Sequence, residues 1–165
     1  MKPLALSLFI APLLALPGFA GEVPPLAQED LDILIGDDWT GSLTYLNYGE
    51  PVKDFTIPAE IDIERTEGGL NLSYQYPDEP HQNASMVSKV SADGARLNGE
   101  TITSNTLLET GAREIRTAYP CEDMGRKASC EMIYTLSATS FETRKLVTYQ
   151  GETEAFRRNA YSFSR

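Results

Sequence analysis

Residues 60–76 carry the pattern that most limits what this chain can become. Ile61 and Ile63 alternate with Glu60, Asp62 and Glu64; then, after Glu67-Gly68-Gly69, Leu70, Leu72, Tyr74 and Tyr76 alternate with Asn71, Ser73 and Gln75. A period of two puts the apolar and aromatic side chains on one face of an extended chain, and the glycines between the runs turn it back on itself. The segment reads as a β-hairpin with one dry face. It needs further strands to cover that face, and the rest of the chain supplies them.

Short alternating or β-branched runs recur over 39–48, 85–91, 95–98, 101–104, 113–119, 130–136, 141–149 and 156–163, with turns at Ala92-Asp93-Gly94 and Gly151-Glu152-Thr153. The first of these holds the single tryptophan, Trp39, with Gly41, Leu43 and Tyr45 on the same face. Trp39 is expected to plug the helix-side end of the fold, with Gly41 as a second structural residue. The one helical pattern precedes it: Leu31, Leu34 and Ile35 form a stripe within 26–35, acids gather near its start, and Gly36 is a plausible stop. The expected fold is mainly β, an antiparallel up-and-down β-barrel of about 8–10 strands with a short N-terminal helix. Consecutive hairpins favour a barrel over a sandwich, because closure removes exposed edges.

Three regions follow from this. Residues 1–20 read as a signal peptide: one Lys2, an apolar run from Leu4 to Leu16 broken by Pro12, and a small residue at Ala20, after which cleavage is expected. Residues 21–38 are a lead-in and short helix, and 39–165 a single barrel domain. The leader carries one of the 14 basic residues and none of the 24 acidic ones, so the net charge of −10 becomes −11 in the mature chain. Such a chain is repelled by nucleic acid and by anionic lipid, and neither is expected as a partner. Export also explains the two cysteines. Cys121 and Cys130, separated by a polar loop, are expected to form one structural disulfide.

An N-terminal helix, a first strand carrying glycine and tryptophan, and a meander of hairpins over the mature chain resemble the calycin superfamily, which includes the lipocalins. The lipocalin mark is Gly-x-Trp. Here Gly36-Asp37-Asp38-Trp39 has one residue more and Gly41 follows. The resemblance implies a cavity for a small hydrophobic molecule, and a late arginine (Arg157, Arg158 or Arg165) stacked on Trp39 by cation–π contact. It implies no haem, since no histidine stands near the C-terminus.

The eight tyrosines all lie in or beside expected strands. Tyr45, Tyr74, Tyr76 and Tyr134 share strand faces with apolar residues and are expected to point inward. They either fill a solid core or tip an apolar cavity with hydroxyls. Arg158, in parity with Phe156 and Ala160, is expected to face inward and to need a protein acid or an anionic ligand. Tyr45, Tyr74, Tyr76, Tyr134 and Arg158 are therefore the candidate ligand contacts.

The catalytic motifs are missing. His81 is the only histidine and sits in a polar loop, there is no Gly-x-Ser-x-Gly, and the acids do not follow calcium-loop spacing. No catalytic residue, metal ligand or cofactor is expected. The leading expectation is an exported, soluble barrel that binds a small hydrophobic or amphipathic molecule. An exported interaction or inhibitor module with a filled core is the second reading, its protein partner undefined. An enzyme using tyrosine and carboxylate is a third. A small outer-membrane barrel shares the length and alternation, but the strands read shorter than the ~9–11 residues a bilayer needs. No stable membrane insertion is expected.

Overall fold

The computed structural model describes residues 22–165, and the expected leader lies outside them. Ten strands follow a single 3-10 turn, Gln28–Leu34: β1 (Gly36–Asn47), β2 (Lys53–Thr66), β3 (Gly69–Gln75), β4 (Ala84–Ser88), β5 (Arg96–Leu97), β6 (Glu100–Leu107), β7 (Arg113–Asp123), β8 (Arg126–Leu136), β9 (Ser140–Tyr149) and β10 (Phe156–Ser164). A second 3-10 turn, Pro80–Gln82, lies between β3 and β4 and carries His81. The strands form one antiparallel sheet in the order β4-β3-β2-β1-β10-β9-β8-β7-β6-β5, curled into a nearly closed up-and-down barrel. The expected fold class holds.

Closure is made at one end only. Beyond β4 the chain pairs with β5 through a bridge between Val90 and Leu97, and the Asn98 N–H donates to the Lys89 carbonyl. Among the described residues no backbone pairing joins β4 itself to β6. The wall is therefore sealed near the N-terminal turn and parts between β4 and β6 further along. This is what a meander with one very short strand must do, because two residues of β5 offer too few backbone groups to zip the full height.

The N-terminal segment caps the sealed end. It is the expected short helix, of the 3-10 type. Three residues per turn align positions i and i+3, so Leu31 and Leu34 are buried while Ile35 lies outside the stripe and is 38% exposed. The Gln28 side chain, in the same alignment, accepts the Val90 N–H at 2.8 Å. Gly36 opens β1 and does not end a helix. Leu26 is buried, and its N–H donates to the Gly94 carbonyl at 3.1 Å. Gly94 must be glycine there: its φ is +69°, and a Cβ would stand 2.7 Å from the Leu26 carbonyl oxygen.

Trp39 packs into this end. It is 1% exposed, donates its indole N–H to the Leu34 carbonyl at 2.8 Å, and meets Phe141 edge-on at 6.5 Å. Arg165 lies over its ring at 4.3 Å. Of the three arginines that could stack there, Arg165 is the one that does; its guanidinium also donates to the carbonyls of Ile33, Ile35 and Ala138. Gly41 lets β10 approach: a Cβ at this position would lie 1.9 Å from the Ser162 carbonyl oxygen.

Cys121 and Cys130 form the expected disulfide, tying β7 to β8 with 5.8 Å between their Cα atoms. Strand length departs from expectation. β1, β2, β7 and β8 run for 12, 14, 11 and 11 residues, so length does not separate this barrel from a membrane barrel. The outward faces are more informative. Glu60, Asp62 and Glu64 share the outward face of β2, and Glu114 and Arg116 on β7, Glu131 on β8, and Glu142 and Arg144 on β9 share that of three adjoining strands. Arg116 pairs with both Glu114 and Glu131. No described helix is long and apolar enough to cross a membrane.

Candidate functional site: a graded cavity inside the barrel

The registers of β8, β9 and β10 stack the interior into rungs. Leu136, Phe141 and Phe163 are aligned across the three strands; one rung further from the cap come Tyr134, Thr143 and Tyr161; the next holds Met132, Lys145 and Asn159. Inward positions thus pass from purely apolar, through hydroxyl-bearing, to amine and amide over two steps of the pleat. β7 follows the same course from Ile115 beside Tyr134 to Thr117 beside Met132.

These rungs enclose a cavity of about 410 Å³, within the range of roughly 300–1,000 Å³ usual for small-molecule sites. Its base is Leu31 and Leu34 of the capping turn with Leu136 and Phe141; Leu70, Leu72 and Ile115 line the sides; Glu100, Tyr119, Lys145 and Asn159 lie at the polar part; and Ala84 and Met86 of β4 face Asn98 across the unpaired gap. Met86 lines the cavity yet is 43% exposed, so the cavity meets solvent at this gap.

An aromatic chain runs up one wall: Phe141 stacks on Phe163 at 6.0 Å, Phe163 on Tyr161 at 5.7 Å, and Tyr161 meets Tyr74 at 5.1 Å. The Tyr161 and Tyr76 hydroxyls share a hydrogen bond of 2.5 Å. Burial pushes the Tyr74, Tyr134 and Tyr161 phenols well above the usual tyrosine range, with Glu100 adding to the effect at Tyr134 and the Tyr76 hydrogen bond adding to it at Tyr161. All three are neutral at any physiological pH.

Glu100 accepts the buried Thr117 hydroxyl. Burial lifts its pKa, countered in part by that hydrogen bond and by the charge of Lys145. Lys145 itself has no carboxylate within ion-pair distance among the described residues.

Of the expected ligand contacts, Tyr74, Tyr76 and Tyr134 line the cavity. Tyr45 and Arg158 do not. Tyr45 stands beside Asn159 in the pairing of β1 with β10, but its ring stacks on Phe55 at 6.1 Å and is half-buried there. Arg158 is displaced by a bulge between Arg157 and Asn159, which breaks the parity with Phe156 and Ala160 on which its inward placement depends. The bulge sends Arg158 to a protein acid: it donates to Asp123 at 3.1 Å and to the Leu46 carbonyl at 2.7 Å, and lies over the Tyr48 ring.

That acid is the centre of a second cluster, at the end away from the cap. Asp123 also accepts the Tyr48 hydroxyl at 2.6 Å and the Tyr149 hydroxyl at 2.7 Å. Burial raises its pKa, but the two phenols and the Arg158 guanidinium outweigh this and hold it below the usual aspartate value. With both carboxylate oxygens engaged, the cluster ties the β1–β2 loop to the tip of the β7–β8 hairpin and is structural.

Glu100, Lys145, Asn159 and Tyr161 are lining residues that sequence reasoning overlooks. For Lys145 and Tyr161 a signal exists: Phe141, Thr143, Lys145 and Val147 share parity, as do Tyr161 and Phe163. For Glu100 none does, because it sits directly after the Asn98-Gly99 turn. Among the described residues no group of histidine, cysteine and acidic side chains is arranged to hold a metal. The chain matches no protein-family model and no curated protein sequence.

Proposed function

We propose that this protein is an exported, water-soluble barrel that binds one small amphipathic molecule inside. The observation that carries this reading is the gradient of the interior, from Leu136 and Phe141 at the capped base to Lys145 and Asn159 two rungs away. A solid core would have no reason to place a lysine and neutral phenols around a void of about 410 Å³, since unfilled space and unpaired buried polar groups each cost stability. A tail in the base and a polar head among the hydroxyls satisfies both. The charged outer face of β2, β7, β8 and β9 favours water over lipid as surroundings, because a membrane barrel presents an apolar band outward. The disulfide fits an oxidising compartment outside the cytosol. The lidded end, the meander and the arginine over Trp39 accord with a calycin-like barrel.

The test is native mass spectrometry of the full chain expressed with its leader and purified without detergent. The reading expects recovery in the soluble exported fraction and a one-to-one adduct, either retained from the cell or restored by adding a medium-chain amphiphile. Recovery only with detergent, or failure of every amphiphile to bind saturably, would sink it.

A further inference from the structure

We infer that the molecule this cavity takes carries an anionic head, and that Lys145 is the residue that recognises it. The inference rests on the cavity's being the ligand site, and deepens that reading by naming the ligand class: a single-chain amphiphile ending in a carboxylate or a comparable anion.

Two charged side chains line the cavity, Glu100 and Lys145. They are not equivalent. Glu100 already has a protein partner, the hydroxyl of Thr117, whose residue is fully buried behind it. Burial also favours its uncharged form. Lys145 is half-buried, faces the cavity, and has no hydrogen-bonding or ion-pair partner among the described residues. Glu100 feels the Lys145 charge but lies beyond ion-pair distance, so an incoming anion can become the first close partner of this ammonium.

The neighbours of Lys145 suit such a head. Asn159 stands directly beside it on β10, and its amide can donate. On the rung below, the Tyr134 phenol can donate, while the Tyr161 hydroxyl already shares its hydrogen bond with Tyr76. A cationic head would meet the Lys145 ammonium at its own position, beside the one carboxyl of the lining, an oxygen of which already accepts from Thr117. The chain's net charge of −10 does not decide the matter. Charges on the outer wall are screened by solvent within about one Debye length, roughly 8–10 Å, whereas Lys145 acts inside the wall at close range.

Three probes of equal chain length separate the possibilities: dodecanoate, dodecanol and dodecylamine, titrated calorimetrically at neutral pH and below their micellar concentrations. Wild type is expected to bind dodecanoate most tightly and dodecylamine least. Lys145→Met is expected to weaken dodecanoate about tenfold or more, while leaving dodecanol within about threefold, since a hydrogen-bonded ion pair is lost and the apolar contacts are kept. Lys145→Arg, which keeps the charge, should retain the preference for dodecanoate, and wild-type far-ultraviolet circular dichroism shows that each variant is folded. If the three probes bind alike in wild type and Lys145→Met, the head-group assignment is overturned and the cavity reading stands. If dodecylamine binds best and Glu100→Gln abolishes it, the assignment is reversed. If no probe binds saturably, the cavity reading fails and the inference falls with it.

Discussion

Trp39→Phe tests whether the first strand is the closure element of the barrel. The substitution removes the indole N–H, leaving the buried Leu34 carbonyl without its donor at 2.8 Å. An orphaned buried acceptor costs about 1–3 kcal/mol. It also weakens the contact with Arg165, whose guanidinium lies 4.3 Å from the ring centre and whose cation–π energy is about 0.5–1 kcal/mol when partly exposed. The smaller ring leaves space beside Phe141. Together these give an expected loss of about 2–4 kcal/mol in urea unfolding, with an unchanged m-value because the fold itself is kept. Arg165→Ala makes the control, and a double-mutant cycle should return a coupling of at least about 0.5 kcal/mol between the two positions. A Trp39→Phe protein within about 1 kcal/mol of wild type, or a coupling of zero, would refute the closure argument, for then the cap would be held by Leu31 and Leu34 alone.

Further outcomes follow from other parts of the barrel. Replacing both cysteines by serine should cost roughly 2–3 kcal/mol by the chain-entropy estimate for two cysteines nine positions apart, read by the same unfolding assay. Gly41→Ala should destabilise by about 1–3 kcal/mol or more, because the added Cβ meets the backbone of β10 and no side chain can yield; a neutral result would mean that β10 shifts freely. Asp123→Asn should cost stability at pH 7 and progressively less as pH falls. The folded pKa of Asp123 lies below its unfolded value, so its contribution is full above about pH 4 and is lost as pH drops through the folded value. Unfolding midpoints at pH 7 and pH 3 check the sign, and a cost that grows in acid would contradict it. Ala84→Trp, at the exposed lip of the gap between β4 and β6, should slow or block amphiphile entry with little effect on stability; unchanged association rates in stopped flow would place the entrance elsewhere.

Much of this architecture is legible in the chain because the sheet obeys a strict period. Leu70, Leu72, Tyr74 and Tyr76 alternate without interruption, and the barrel follows them. Where the period breaks, parity misleads. The bulge at Arg157–Asn159 moves Arg158 out of the interior, and nothing in Phe156-Arg157-Arg158-Asn159 announces it, because a bulge depends on what the paired strand requires. Tyr45 has the right parity but a competitor for its ring: Phe55 lies across the β1–β2 pair, a contact fixed by register and invisible in either strand alone. Lys145 is hidden differently. In Glu142-Thr143-Arg144-Lys145 the inward and outward residues are equally polar, so the face is readable only from Phe141 and Val147 on either side. The stripe Leu31, Leu34, Ile35 announces a helix but not its pitch: the segment takes three residues per turn, which leaves Ile35 outside, and is held by Gln28 to Val90 and by Leu26 to Gly94.

The claim on which the rest depends is that the graded interior is where a ligand sits. Methyl-resolved NMR during titration with dodecanoate tests it most directly. The account predicts saturable shifts at Leu72, Ile115, Met132 and Leu136, which line the cavity, and none at Val52, Leu107 or Met124, which are exposed elsewhere on the barrel. Shifts confined to Val52, Leu107 or Met124, or no saturable shift in any methyl group, would contradict it.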